Sequence, residues 1–340
     1  MFLTDRSRAI SFQTCPRSRW YAYHWGRTGL QPAGVRPELL TGSTVHLGLE
    51  YLLRGLTPEE AVARATADWQ RSLEGRPVLE GARDHLELAQ ALIYAWAYEG
   101  MPQLLDAYEV LAVEEEINVP LSDRVMWMAR PDGVLRSRHD GGIYVLSFKT
   151  APQYSRRHQA DNLVDMQGLS ESWAVREKYG EAPRGVQYVY LLKGRNDASG
   201  LPASFLTRPW RNARGDLRWR YESIDPLTGQ VARLGRQWTR SRISDQMPLF
   251  QWVEMLRDWE PDLDNLRPLE TVIVQPAPVW RRAAALTDWR AQIARQEDSL
   301  RYRLDCLPLY GDAAHGHGLN LHFPQHLRSC AWPSRCAFVS

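Results

Sequence analysis

The sequence lacks the features that place a protein in or across a membrane. It has no run of about 18 or more apolar residues, which excludes a membrane-spanning helix. The N-terminal residues 1–6 do not begin an apolar signal segment, so secretion is not expected. We therefore expect a cytoplasmic protein that makes no membrane contact and whose four cysteines are not paired in disulfides.

Lysine and net positive charge are also scarce. The formal net charge is only +2 at pH 7, so the overall charge does not by itself indicate a nucleic-acid-binding protein. Lysine occurs at positions 149, 178 and 193, and every other basic residue is arginine. GC-rich coding explains this bias, but Lys149 is notable because a guanidinium is a poor substitute for a compact, titratable ammonium.

The 340 residues can form one large domain or two modest ones, with an ordinary apolar content of 44%. Apolar residues at helical spacing predict helices over 41–105. Alternating patterns then predict a sheet within 108–195, with strands at 111–119, 125–129, 143–146 and 185–192. A helix is predicted over 161–179, between the last two strands. This order predicts an α/β (α+β) fold with a mixed central sheet flanked by helices.

The second half of the chain changes character. Residues 196–247 predict an insertion with its own strands, because turn sequences separate extended pieces that are rich in Trp and Arg. Residues 248–340 form a helical C-terminal part, with helices near 248–260 and 280–303, and end in a tail that carries cysteines. We expect this C-terminal part to pack back on the N-terminus.

Two short motifs lie at the ends of neighbouring predicted strands. The first is Pro131-Asp132-Gly133 and the second is Ser147-Phe148-Lys149-Thr150. Strand alternation places positions 147 and 149 on one face, while Phe148 offers its backbone carbonyl. Magnesium prefers carboxylate, carbonyl and water ligands, and an adjacent ammonium stabilises charge that develops on a phosphate. The motifs predict a site for Mg²⁺ or Mn²⁺.

Together with Gly42-Ser43-Thr44-Val45-His46 and Gln167, these motifs resemble, in order, those of the PD-(D/E)xK nuclease superfamily. The resemblance is to its RecB-like exonuclease branch, which includes exonucleases of CRISPR adaptation. It implies a restriction-endonuclease-like fold and a metal-dependent DNase acting on DNA ends or single strands. It also implies that His46, Asp132 and the Phe148 carbonyl ligate the metal, with Lys149 catalytic and Gln167 positioning.

The sequence departs from the family pattern at Ser147, where the family has a second acid, and at Glu171, where it has tyrosine. A hydroxyl cannot replace the charge of a carboxylate. Three explanations are open. The site is inactive and the chain is a nucleic-acid-binding or assembly subunit, the remaining ligands suffice for weak activity, or another acid takes the role of the missing one. The candidates for that acid are Glu114, Glu115, Glu116 and Glu171.

The cysteines resemble those of RecB-like nucleases that carry an iron–sulfur cluster. In such proteins one N-terminal cysteine and three near the C-terminus hold a [4Fe–4S] cluster. By this resemblance Cys15, Cys330 and Cys336 are cluster ligands. The last ligand expected after Cys336 is absent, so Cys306 is the candidate for the fourth, and four reduced thiols without a cluster are the alternative.

The insertion interleaves arginines with tryptophans, including Arg211, Trp219 and Arg220. This mixture suits single-stranded nucleic acid, because rings stack on bases while guanidiniums neutralise phosphates. A twisted hairpin with packed tryptophans and solvated arginines is an equal alternative. A protein partner is a third, in a defence, repair or phage recombination complex, since Trp and Arg are frequent at interface hot spots.

Overall fold

The protein has a mixed α/β fold, seen in a computed structural model. The structure describes residues 1–30, 37–75, 82–151, 154–193, 207–211, 217–224, 231–234, 273–307 and 317–324. Within these ranges, no helix has both the length and the apolar character needed to span a bilayer.

The helices of the described residues are α1 (Arg6–Thr14), α2 (Pro16–Tyr23), α3 (Pro37–Leu53), α4 (Pro58–Leu73), α5 (Ala82–Ala95), α6 (Met101–Ala107), α7 (Arg156–Val164), α8 (Met166–Tyr179), α9 (Ala283–Cys306) and α10 (His317–His322). A π-helical turn at Trp96–Gly100 joins α5 to α6. The strands are β1 (Phe2–Asp5), β2 (Tyr108–Val113), β3 (Ile117–Pro120), β4 (Val125–Ala129), β5 (Gly133–Ser137), β6 (Ile143–Ala151), β7 (Gly185–Leu192), β8 (Thr207–Arg211), β9 (Leu217–Ile224), β10 (Val231–Leu234), β11 (Ile273–Val274) and β12 (Val279–Trp280).

The central sheet has the strand order β11-β7-β6-β5-β2, and β12 also pairs with β7. β5 runs antiparallel to both β2 and β6, whereas β6 and β7 are parallel. A parallel pair needs a crossover connection, which α7 and α8 provide. The sheet is therefore mixed, as the sequence predicted.

Strand alternation divides the core into two layers. One face of the sheet, with Tyr144, Leu146 and Phe148 of β6, packs against α3, α4 and α5. The other face, with Ile143 and Val145, packs against α8 and α9. Because side chains alternate along a strand, Ser147 and Lys149 belong to the α8 face.

Local signals explain where the helices that border the site begin. Thr57 and Glu60 form a reciprocal capping box at the start of α4. Asp165 accepts hydrogen bonds from the first backbone amides of α8, and this cap separates α8 from α7. Gly168 lets α8 lie close to β7, because an added Cβ would come within 2.5 Å of the Tyr188 hydroxyl.

A second sheet joins the N-terminal strand to the middle of the chain, and side-chain contacts then link it to the C-terminal helix α9. β1 is parallel to β4, and β4 is antiparallel to β3. Thr4 of β1 and Arg19 of α2 both donate hydrogen bonds to Glu297 of α9, and all three side chains are buried. Trp20 packs with Leu300 and Phe323 in a separate apolar cluster. The C-terminal helices thus pack on the N-terminal ones.

The structure corrects several element boundaries. Helix α3 begins at Pro37, so the hydroxyl residues at 43 and 44 lie inside it and do not cap it. The predicted strand at 111–119 is two strands, β2 and β3, and the predicted helix at 161–179 is two helices. Strand β5 was not predicted. The helix predicted at 248–260 lies outside the described residues, and the insertion contributes the antiparallel sheet β10-β9-β8.

His24 predicts a pH dependence of stability. Burial, together with the charges of Arg19 and Arg8, lowers the pKa of His24 to about 4, and Arg19 Nε donates to its Nε2. Between pH 6.5 and 4, His24 therefore binds a proton in the unfolded chain but not in the folded chain. The free energy of unfolding falls as the pH falls through this window. The shift sets an upper limit of about 3 kcal/mol on the contribution of this group to that fall.

The measurement is urea unfolding at several pH values between 7 and 4. His24→Gln should flatten the pH dependence relative to the unchanged chain. His139→Gln, at an exposed turn, is the matched control and should leave it as it was. An equal slope in the His24 variant would refute the assignment.

Candidate metal centre

Asp132 lies at the centre of the site, immediately before β5, and is 6% exposed. Its Oδ2 accepts a hydrogen bond of 2.6 Å from the backbone amide of Phe148. Its Oδ1 lies 3.0 Å from Nδ1 of His46 on α3. The pairing of Gly133 with Leu146 explains the first contact, because it brings the start of β5 beside the later part of β6. The carboxylate of Asp132 thus brings together Asp132, Phe148 and His46, the three residues predicted to ligate the metal.

Gly42 and Phe148 set the position of α3 over this strand. An added Cβ at Gly42 would lie 3.3 Å from the Thr150 hydroxyl, so glycine permits the close approach of the helix. The Phe148 ring packs edge-on against Trp96 and His46. In extended backbone the N–H and C=O of one residue point to the same side of the strand, so the Phe148 carbonyl faces the side where Asp132 lies.

Glu114 faces Asp132 across the two strand ends. Its backbone amide donates to the Asp132 carbonyl at 3.3 Å, and it has a φ of 51°, the one positive φ outside glycine among the described residues. Arg130 Nε lies 2.5 Å from Glu114 Oε2. One ligand atom each from His46, Glu114 and Asp132 lies within 4.8 Å of the other two. Imidazole and carboxylate oxygens in such a group suit a divalent cation.

Lys149 and Gln167 meet on the α8 side. The Lys149 ammonium donates to Oε1 of Gln167, and Arg6 of α1 donates to the same oxygen. Lys149 Nζ also lies 3.7 Å from Oδ2 of Asp165. The Gln167 amide donates to Glu171 one turn further along α8, at 2.9 Å. Gln167 therefore holds Lys149 in a network that leads to a buried acid.

Charge in the site is closely balanced. Burial alone would raise the pKa of Asp132, but the charge of His46 and the hydrogen bonds from His46 and Phe148 lower it below its usual value. Burial would likewise lower the pKa of His46, yet Asp132 raises it. Burial and the negative charge of Asp132 raise the pKa of Glu114 to about 7 and that of Glu171 to about 8. Two acids next to Asp132 thus resist ionisation, a state that an additional cation would reverse.

Of the four acids considered as replacements for the one missing at 147, two lie away from the site. Glu115 pairs with Lys178 and Tyr179, and Glu116 is exposed and accepts from Asn118. Glu114 contacts Asp132 instead, and the buried Glu171 is close enough for the charge of Asp132 to act on it.

Arg6 and Asp165 join the site without having been predicted. Arg6 begins a helix far from every motif, and no sequence signal marks it. Asp165 has a signal, because an acid before an apolar helix is a common N-cap, although a cap does not indicate contact with Lys149.

The structure describes two of the four cysteines and part of the insertion. Cys15 is buried at the junction of α1 and α2, and Cys306 ends α9; both are free thiols. Cys330 and Cys336 lie outside the described residues, so the cluster stays a prediction. Arg211 lies on β8, and Trp219 and Arg220 lie on β9, where Arg208 pairs with Arg220 in the backbone register.

Comparisons with known proteins add no family assignment. A scan against protein-family models and a search of curated proteins both gave no match to this chain.

Proposed function

We propose that this chain is a metal-dependent deoxyribonuclease of the PD-(D/E)xK type, acting on DNA ends or single strands. One observation carries the proposal. The four motif residues come from separate elements, yet His46 contacts Asp132, Lys149 donates to Gln167, and the charge of Lys149 acts on Asp132. If Asp132 were only a turn residue, Gln167 only a solvated helix residue or His46 only a core residue, the other motif residues would have no reason to lie nearby.

The fold supports the same proposal. A restriction-endonuclease-like fold implies a mixed sheet between helices, with its site at a strand edge. Here the five strands β2, β5, β6, β7 and β11 form a mixed sheet between two helical layers. Asp132 and Lys149 lie where β5 begins and β6 ends.

The carboxylates and the backbone carbonyl fit a hard divalent cation, and His46 adds an imidazole nitrogen. Mg²⁺ or Mn²⁺ held by His46, Asp132 and the Phe148 carbonyl would orient a phosphodiester and lower the pKa of an attacking water. Lys149 would donate to the charge that develops on the phosphate oxygens. Gln167 keeps the ammonium in place, since its Oε1 accepts from it.

Lys149→Ala tests the proposal. We expect cleavage of DNA in Mn²⁺ or Mg²⁺ to fall by about 10²- to 10³-fold, because the transition state loses its ammonium. The measurement is release of labelled nucleotides from single-stranded and duplex substrates, with EDTA as the metal-free reference. Lys178→Ala is the matched control, since Lys178 pairs with Glu115 on the surface. Equal rates for the unchanged chain and the Lys149 variant would contradict the proposal.

A second candidate function is a non-catalytic nucleic-acid-binding or assembly subunit of a larger complex. The observation that favours it is Ser147, which is fully buried and leaves β6 without the carboxylate that the family has there. A chain that binds single-stranded DNA but shows no metal-dependent cleavage would support this function.

A further inference from the structure

The site contains a carboxylate oxygen without a hydrogen-bond partner. Glu171 is 5% exposed, and its Oε1 accepts from Gln167. Its Oε2 is buried and has no partner among the described residues, and the same is true of the Ser147 hydroxyl. Buried polar atoms are rarely left unpaired, because desolvation is not repaid. These two atoms lie on β6 and α8, elements that pack together, so one group bound between them would satisfy both.

The neighbours of Glu171 indicate that this group is a cation. Glu171 lies on α8, which packs on the sheet face that carries Ser147 and Lys149. The charges of Asp132 and Lys149 act on its carboxylate, and so does that of Arg6. Both cationic side chains nevertheless donate to Gln167, which leaves Oε2 free. The carboxyl groups of Asp132 and Glu171 thus interact electrostatically inside a buried site, and a divalent ion would relieve their repulsion.

We propose that Glu171, from helix α8, supplies the second anionic metal ligand in place of the acid that position 147 lacks. This inference rests on the proposed function and assigns one more residue to the same site. The exchange is consistent with the packing, because Ser147 is small and belongs to the sheet face that α8 covers, whereas Glu171 is buried on α8 and its Oε2 has no partner among the described residues. This chain has a hydroxyl residue on the strand, Ser147, and an acid on the helix, Glu171, whereas the family pattern has the acid on the strand and tyrosine on the helix.

Glu114 is the competing acid, and its contacts distinguish it from Glu171. Arg130 neutralises Glu114 from the solvent side at 2.5 Å, and Glu114 also hydrogen-bonds to Asp132. Both interactions satisfy its carboxyl group in the absence of metal. Glu171 Oε2 has no such contact. Glu114 lies within 4.8 Å of His46 and Asp132 and so borders the same ion, and the remaining anionic position is assigned to Glu171 on α8.

Binding of Mn²⁺ by the full chain, followed by isothermal titration calorimetry, tests this proposal without reference to activity. Glu171→Gln keeps the shape and the hydrogen bond to Gln167 but removes the charge. We expect its Mn²⁺ affinity to fall at least tenfold, with a melting temperature in EDTA that does not fall. Glu177→Gln, on the exposed side of the same helix, is the matched control and should bind as the unchanged chain does.

A rescue variant keeps the test decisive if the single change disturbs folding. The double variant Ser147→Asp with Glu171→Gln returns an acid to the strand and should recover Mn²⁺ affinity to within a few-fold of the original. Undiminished binding by Glu171→Gln, or failure of a folded double variant to recover, would overturn the role of Glu171. If Glu171→Gln binds Mn²⁺ as the unchanged chain does while Asp132→Asn abolishes binding, the proposed function stands and this inference fails. If the unchanged chain binds no Mn²⁺, both fail.

Discussion

Asp132→Asn is expected to lower the rate of Mn²⁺-dependent DNA cleavage by about 10³-fold. Asp132 is the residue that connects the two halves of the site. It accepts from the Phe148 amide on one oxygen and contacts His46 with the other. Asparagine preserves the shape and one acceptor, but it removes the charge that balances His46 and that a divalent cation requires. The loss should therefore appear in Mn²⁺ binding as well as in rate.

The two measurements are single-turnover cleavage of labelled DNA and calorimetric Mn²⁺ titration. Asp123→Asn is the matched control, because Asp123 is exposed in the turn between β3 and β4. The Asp132 variant should remain folded in EDTA, because asparagine keeps the side-chain volume and an acceptor for the Phe148 amide. Cleavage at the original rate would exclude Asp132 as a metal ligand.

Glu297→Ala is expected to destabilise the fold by about 3–5 kcal/mol. Glu297 and Arg19 are both fully buried, and Arg19 NH2 lies 3.1 Å from Glu297 Oε2. Thr4 donates to the same oxygen at 2.7 Å, so the carboxylate links β1, α2 and α9. Its removal leaves a buried guanidinium without a counter-charge, and this costs more than the loss of an exposed pair.

Equilibrium unfolding in urea measures this effect. Asp298→Ala is the matched control, because Asp298 is on the same helix and its bond to Ser122 is exposed; its effect should be below about 1 kcal/mol. The double variant Arg19→Met with Glu297→Leu should recover most of the lost stability, since apolar residues of similar volume can replace a buried ion pair. A single Glu297→Ala variant as stable as the control would show that the pair contributes little.

The sequence carried much of the information about the site. An acid, a lysine and a carbonyl at neighbouring strand ends suit metal-assisted chemistry on a phosphate, so Asp132 and Lys149 could be chosen as candidates from residue type and spacing. Strand alternation also placed Ser147 and Lys149 on one face. These inferences depend on local periodicity, which sequence reports well.

The element boundaries at the site were less predictable. The stretch 111–119 alternates as one strand, yet the chain turns at Glu114 with positive φ. That turn exists because β2 pairs with β5 in the central sheet, whereas β3 pairs with β4 in the second sheet. Strand β5 was not predicted because it spans only residues 133–137 and begins within the turn sequence Pro131-Asp132-Gly133.

The tertiary structure alone decided which acid adjoins the centre. Glu114, Glu115, Glu116 and Glu171 were equal candidates by residue type. Only the packing of α8 against β6 buries Glu171 beside Asp132, and only the pairing of β2 with β5 brings Glu114 opposite it. Arg6 and Asp165 joined the site in the same way. The sequence determined which chemical groups this chain can use. Long-range packing determined which carboxylates come together, because the local pattern places a side chain on a face of its own element but does not say which element packs against that face.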